Sequence, residues 1–137
     1  MKNQLLIRKV LNEKWIKPSF ISNDGTMFWR NKYGELHRAE DLPALIYSDG
    51  TKYWYKNGLL HRDGDNPATI YSNGDKSWYK NGKRHREENK PAIIWSNGEK
   101  LWYKNGKRHR DGNKPAVILS DGNKRWYKNG KLIKSSQ

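Results

Sequence analysis

Lysine, arginine and histidine recur at a fixed spacing along this chain, and they are its strongest candidates for chemistry. The nine residues WYKNGKRHR occupy positions 78–86 and return unchanged at 102–110. Imidazole groups in such a phrase suggest metal binding or acid–base work, whereas clustered cations are typical of an anion-binding surface. The histidines of the chain are all 24 residues apart: His37, His61, His85 and His109.

The even spacing of the histidines argues against a metal site or an active site. Adjacent copies of a β-hairpin repeat lie about 10 Å apart, whereas zinc holds its ligands about 2 Å from one centre. We therefore expect each histidine to bond a turn carbonyl. Serines and carboxylates also recur alike in every copy, while an active site needs one distinct constellation. The chain has no cysteine, so thiolate chemistry and a cysteine zinc site are not available to it. We therefore expect that the protein is not an enzyme and that it binds no metal, cofactor or small-molecule substrate.

Positive charge is concentrated in the second half of the chain. The net charge is +14, from 28 Lys and Arg against 14 Asp and Glu. Residues 18–66 are close to neutral, whereas residues 67–137 carry 17 positive and six negative groups. The added charge enters at one place in the repeat, where Leu59-Leu60 becomes Lys83-Arg84 and then Lys107-Arg108. The pattern predicts a basic cluster on a protruding turn, repeated at a constant pitch.

A 24-residue period sets the elements that must position these cations. Prolines, glycines and tryptophans keep this step through about five copies, each reading as strand, turn, strand and loop. The Asn-Gly and Asp-Gly pairs favour two-residue hairpin turns. A two-residue turn at Asp49-Gly50 would place Leu45 opposite Trp54. Alternation along the strand would then place Lys76, Trp78 and Lys80 on one side.

Only 34 % of the residues are apolar, below the roughly 45–50 % of an average globular domain. We therefore predict an all-β protein, an elongated single-layer antiparallel sheet of stacked β-hairpin repeats over residues 18–137. Residues 1–17 are predicted to be a cap over the first strand edge, and Leu132 and Ile133 to serve likewise at the other end. Tryptophan has two interpretations, a buried ladder that forms the core or exposed rings that stack nucleobases, and the first is favoured.

The phrase WYKNGKRH, followed after a spacer by SNG or SDG, resembles the MORN-type repeat over about residues 18–134. The variant with Arg after His and PA opening the next strand is similar to repeats of proteins from large DNA viruses. The resemblance implies stacked β-hairpins. It also implies a function among those associated with MORN-like arrays, which are phospholipid binding, protein scaffolding and attachment to enzymes. Here Arg38, Arg62, Arg86 and Arg110 replace the glycine that normally follows the histidine.

We predict that the three basic copies bind duplex DNA through its backbone. A pitch of about 10 Å corresponds to about three base pairs, since duplex DNA carries one charge per about 1.7 Å of axis. The arginines predicted to enter an A·T-rich minor groove are Arg84, Arg86, Arg108 and Arg110. The alternative is a scaffold that docks on an anionic phospholipid membrane or an acidic protein. The predicted DNA contacts are Lys80, Lys83, Arg84, His85, Arg86, Lys104, Lys107, Arg108, His109, Arg110, Lys128 and Lys131.

The only apolar stretch near the start, LLI at residues 5–7, is interrupted by Arg8 and Lys9. It is shorter than the apolar region of a secretory signal and far shorter than a membrane span. We therefore expect a soluble intracellular protein, and the nucleus, a viral factory or the virion are the compartments that the resemblance suggests.

Overall fold

A computed structural model describes residues 17–136, which form seventeen short β-strands and contain no helix. No helix that could cross a membrane therefore occurs within these residues. The strands are β1 Phe20–Ile21, β2 Met27–Phe28, β3 Leu45–Ile46, β4 Lys52–Tyr53, β5 Tyr55–Lys56, β6 Leu59–Leu60, β7 Thr69–Ile70, β8 Lys76–Ser77, β9 Tyr79–Lys80, β10 Lys83–Arg84, β11 Ile93–Ile94, β12 Lys100–Leu101, β13 Tyr103–Lys104, β14 Lys107–Arg108, β15 Val117–Ile118, β16 Lys124–Lys128 and β17 Lys131–Ser136.

Eleven of the strands form one antiparallel sheet in the order β1-β2-β3-β4-β7-β8-β11-β12-β15-β16-β17. The other six form three two-stranded hairpins, β5-β6, β9-β10 and β13-β14, which we call the small hairpins. The predicted all-β, elongated single sheet is thus confirmed. The sequence predicts only a turn where each central repeat forms its small hairpin. Residues 1–16, which carry almost all of the predicted cap, lie outside the described residues.

The two turns of each repeat differ, and the difference shifts the predicted register. In the small hairpins the turn has two residues with positive φ, such as Asn57 at 48° and Gly58 at 81°, as a type I′ turn requires. In the long sheet only the glycine has positive φ. There the Tyr47 N–H bonds the Thr51 carbonyl at 2.9 Å across three intervening residues. Leu45 consequently lies opposite Tyr53, so the predicted pairing with Trp54 is wrong.

The corrected register gives the long sheet two different sides, because directly opposed residues share a side. One side carries isoleucine opposite lysine in four successive hairpins, for example Ile70 opposite Lys76. We call this side the lysine side. The other side carries the pairs that include Ile93 and Leu101, and we call it the tyrosine side because tyrosines flank this buried row. A shift of one residue reverses every side chain in a strand, so the register decides which groups share a surface.

Tryptophan forms the core, as the favoured interpretation predicted. Four tryptophans are between 3 and 7 % exposed, and four alanines of the repeat are fully buried. Trp54 joins the long sheet to the small hairpin of its repeat. Its N–H donates to the Ala68 carbonyl at 2.7 Å, and its carbonyl accepts the His61 N–H at 3.1 Å. The buried tryptophans are Trp29, Trp54, Trp78 and Trp102.

Hydrogen bonds between neighbouring copies hold the repeats at a constant pitch. In the small hairpins, the Gly82 N–H bonds the Leu60 carbonyl of the preceding copy, and the Gly106 N–H bonds the Arg84 carbonyl, both at 2.8 Å. Two strands of the long sheet per repeat give a step of about 10 Å. Groups at equivalent positions therefore form evenly spaced rows.

Candidate nucleic-acid interface

The cations of the phrase GKRHR do not form a single cluster. Lys83 and Arg84 are consecutive in β10, and adjacent residues of a strand point to opposite sides. Lys83 lies opposite Lys80, whereas Arg84 lies opposite Tyr79 and has its Nε 3.0 Å from that tyrosine's Oη. The prediction of one basic cluster per turn is therefore wrong, because strand alternation separates neighbouring cations.

Arg86 is fully engaged inside the protein. Its guanidinium lies 3.8 Å from the centre of the Trp78 ring. Its Nε and one terminal nitrogen donate to the two carboxylate oxygens of Asp65 at 2.8 and 3.1 Å, and its other terminal nitrogen donates to the Pro91 carbonyl at 3.1 Å. Planar stacking together with this donor fork is an arrangement that arginine provides and lysine does not. Arg86 thus clamps two repeats together.

Arg110 repeats this clamp in the next copy with a neutral partner. Its guanidinium lies 3.9 Å from the Trp102 ring centre, and it donates to the Asn89 side-chain oxygen at 2.9 Å and to the Pro115 carbonyl at 3.0 Å. Burial lowers the pKa of Arg110 from its usual value. The same geometry recurs at Arg62. Arg86 and Arg110, which the sequence predicts as DNA contacts, are thus half-buried, and their N–H groups donate to partners within the protein.

His85 and His109 also tie one repeat to the next. The Nδ1 atom of His85 accepts the backbone N–H of Asn105 at 3.0 Å, and His109 does the same for Asn129. Each Nε2 is 2.7 Å from a carboxylate of its own loop, Glu87 or Asp111. The expected bond to a turn carbonyl is wrong, because the ring accepts a turn N–H instead. Both histidines are 8 % exposed, so neither presents a free donor to a ligand.

The predicted lysines of the small hairpins occur as opposed pairs on the lysine side. They are exposed, and within each pair the two ammonium stems lie on the same side of the hairpin. Like charges directly opposed in a sheet destabilise it, so the folding of the hairpins does not explain their repetition. We call these six the hairpin lysines: Lys80 with Lys83, Lys104 with Lys107, and Lys128 with Lys131.

The stems of two hairpin lysines are laid along the following repeat. A Cβ built on Gly106 would meet the Lys83 Cβ at 3.6 Å, and one on Gly130 would meet the Lys107 Cβ at 3.8 Å. The glycine of each turn therefore receives the lysine stem of the copy before it. Lysine buries its stem along a surface while its ammonium head remains in water, so this packing orders the row of charges.

A second lysine row was absent from the predicted contacts. These lysines lie in the long sheet, are exposed, and belong to no ion pair of residues 17–136. The sequence signal was available, since the same position is lysine in four consecutive copies. We call them the sheet lysines: Lys52, Lys76, Lys100 and Lys124.

The last repeat shows how the two lysine rows are related. There β16 is one continuous strand from Lys124 to Lys128, so alternation places Lys124, Trp126 and Lys128 on the same side. Lys131 lies directly opposite Lys128. Four residues of strand separate Lys124 from Lys128 by about 13 Å. In the last repeat the two rows therefore lie side by side.

Carboxylates on this side offset part of the positive charge. Glu87 lies 3.9 Å from Lys80, and Asp111 lies 3.7 Å from Lys104. Hydrogen bonds from His85 and His109 hold the pKa values of these two carboxylates below their usual range. Among the described residues, no ion pair involves Lys83, Lys107, Lys128 or Lys131.

Shallow clefts separate the loops of successive repeats on the lysine side. One of about 380 Å³ is lined by two such loops, by Trp78 and by Lys80. Its acidic and basic groups already have ion-pair partners, either in the cleft or next to it. Within the described residues, no three His, Asp or Glu side chains are close enough to hold a metal ion.

Comparison with known proteins does not place the chain in a family. No protein-family model matches the sequence, and no curated protein is similar to it.

Proposed function

We propose that this protein is a non-enzymatic protein that binds the backbone of duplex DNA across its last three repeats. The contacts are the hairpin lysines and the sheet lysines Lys76, Lys100 and Lys124. The arginines at 86 and 110 and the histidines at 85 and 109 hold the repeats together and do not contact the DNA. The resemblance to MORN-type repeats likewise remains a proposal, with which stacked hairpins agree.

The observation that carries this proposal is a regular array of exposed ammonium groups, of which only those of Lys80 and Lys104 have a carboxylate partner among residues 17–136. Equivalent lysines are about 10 Å apart along each row, and the rows are about 13 Å apart. The width of the major groove is about 12 Å, and its edges carry the two phosphate chains. Two rows at this separation can therefore address both chains. Contacts of this kind fix position and read no base sequence.

The distribution of charge between copies supports the same surface. The second repeat has Leu59 where the third and fourth have Lys83 and Lys107, and Leu59 packs against Gly82 as the lysines pack against their glycines. The fold therefore accepts leucine at this position. Because leucine occupies this position in the second repeat, the packing does not require lysine, and the charge of the later copies is consistent with a role in binding.

A salt titration of duplex binding tests the proposal. If all nine of these lysines contact phosphates, log K is expected to fall against log salt with a slope of about −8, from roughly −0.9 per contact. Binding of a 20-base-pair duplex is to be measured by electrophoretic mobility shift between low and moderate salt. A slope near zero contradicts backbone binding.

Matched variants locate the surface. Changing Lys83 and Lys107 to Gln removes two contacts, so the slope is expected to become shallower by about 2. Changing Lys32 and Lys52 to Gln removes the same charge from the first two repeats and serves as the control. An equal loss in both variants would contradict binding by the last three repeats.

The alternative partners are separated by two further measurements. Flotation with vesicles that contain anionic phospholipid reports membrane docking, and competition with poly-glutamate reports general affinity for acidic polymers. Duplex DNA is expected to compete with both. Stable flotation in the presence of excess duplex would favour the membrane alternative over the proposed function.

A further inference from the structure

The tyrosine side carries aromatic rings and arginines together, and neither group is needed for duplex binding. Tyr47 and Tyr71 are 38 and 37 % exposed, and the Trp95 ring is half-buried at the equivalent position of the next copy. A column of tyrosines follows the small hairpins at one per repeat, and its partly exposed members include Tyr79 and Tyr127. This is the opposite side of the sheet from the lysine rows.

Arg84 and Arg108 are held on this side by neutral groups. Arg84 Nε donates to the Tyr79 hydroxyl at 3.0 Å, and its guanidinium is 5.6 Å from the Tyr103 ring centre. Arg108 donates to the hydroxyls of Tyr103 and Tyr127 at 3.1 and 3.3 Å. Hydroxyl partners orient a guanidinium without neutralising it.

The charge of these arginines is therefore available to an anion. Arg125 lies on the same side, opposite Val117, and is exposed. Among the described residues, no ion pair involves any of these three arginines. Asp75 and Glu99 lie at the hairpin turns, where their carboxylates accept hydrogen bonds from the backbone N–H groups of Ser96 and Ser120.

We propose that the tyrosine side is a second binding site, for single-stranded nucleic acid. A single strand offers base faces that stack on aromatic rings, together with phosphates that arginine binds. A duplex hides its base faces. On the lysine side, cations lie over the tryptophan rings: Arg86 covers Trp78, Arg110 covers Trp102, and the Lys134 ammonium is 4.4 Å from the centre of the half-buried Trp126 ring. The exposed rings and the uncompensated arginines coincide only here within residues 17–136. This inference goes beyond duplex binding and does not depend on it.

Adjacent residues provide a matched test, because Lys83 and Arg84 lie on opposite sides of one hairpin. Labelled dT20 and rU20 are to be titrated by fluorescence anisotropy at fixed salt, in parallel with a 20-base-pair duplex. Changing Arg84 and Arg108 to Gln is expected to weaken single-strand binding by 10-fold or more and duplex binding by less than about 3-fold. Changing Lys83 and Lys107 to Gln is expected to show the reverse preference.

Ring removal separates stacking from charge. Changing Tyr71 and Trp95 to Ala is expected to weaken binding to dT20 and rU20 by on the order of 10-fold per ring, as for other stacking platforms, with no change in the slope against salt. Circular dichroism and the thermal midpoint establish that each variant is folded. If a ring variant fails to fold, Tyr47→Ser and the variant with Arg84 and Arg108 changed to Gln still test single-strand binding by the tyrosine side.

Three results would overturn the proposal. The first is no measurable binding of either single strand. The second is an equal effect of the lysine and arginine variants on single-strand binding. The third is complete displacement of a bound single strand by the duplex, which would show one shared surface. A preference for dT20 or rU20 identifies the strand and supports the proposal in either case.

Discussion

Replacing Arg86 by Gln separates a structural role for this arginine from a role in DNA contact. The change removes a stacked cation from Trp78, which is worth up to about 2 kcal/mol when the cation is desolvated. It also leaves the part-buried Pro91 carbonyl without its donor, at about 1–3 kcal/mol. The half-exposed ion pair with Asp65 adds only about 0–1 kcal/mol. Because such terms are not additive, we expect a loss of about 3 kcal/mol in the free energy of unfolding.

Urea unfolding followed by tryptophan fluorescence measures this loss directly. With a denaturant dependence of about 2 kcal/mol per molar urea, the midpoint is expected to fall by about 1.5 M. Arg84→Gln is the matched control, since Arg84 is exposed and has one hydroxyl hydrogen-bond partner. Its effect is expected to stay within about 0.5 kcal/mol. Arg86→Lys retains the charge but not the planar fork, and is expected to recover little of the loss.

DNA binding by the same variants completes the test. Under conditions in which each variant is fully folded, Arg86→Gln is expected to bind duplex with unchanged affinity and an unchanged slope against salt. Equal midpoints for the Arg86 and Arg84 variants would refute the clamp. A shallower salt slope for folded Arg86→Gln would instead restore this arginine as a phosphate contact.

His85, Glu88 and Asp65 are the subjects of three further tests of stability. His85→Phe leaves the Asn105 N–H without an acceptor and is expected to reduce the free energy of unfolding by about 2 kcal/mol; His85→Asn restores an acceptor, so equal urea midpoints for the two variants would contradict this role. Glu88 has a φ of 58°, at the position where the equivalent loops have Gly64 and Gly112. Glu88→Gly is therefore expected to raise the free energy of unfolding by about 0.5 kcal/mol. An unchanged or lower urea midpoint would argue against backbone strain at this position. Hydrogen bonds from Arg86 and then Lys90 hold the pKa of Asp65 well below its usual range. A carboxylate with a depressed pKa stabilises the fold above its unfolded pKa, and this contribution is lost as the pH falls through the folded pKa. The free energy of unfolding is therefore expected to decline below about pH 5, and to decline less steeply for Asp65→Asn in the same urea series.

The period and the turn residues of the sequence were sufficient to predict the class of fold. Asn-Gly or Asp-Gly at a 24-residue step favours hairpins, and a chain with little apolar material buries tryptophan first. The same residues did not settle the register, because they are compatible with a two-residue turn and with a three-residue turn that has one positive φ, at Gly50. These two turns shift the pairing of the strands by one residue. That single position moved Leu45 from Trp54 to Tyr53 and reversed the sides of the strand.

The sequence by itself determined the number, type and pitch of the cations, since these follow from composition and period. Only the tertiary structure decided which of them are free. The partners of Arg86 come from the preceding repeat, 21 residues away at Asp65, and from the Pro91 carbonyl. Strand alternation then sends Lys83 and Arg84 to opposite sides. Charge is a property of a residue, whereas its availability depends on neighbours that folding brings from other copies.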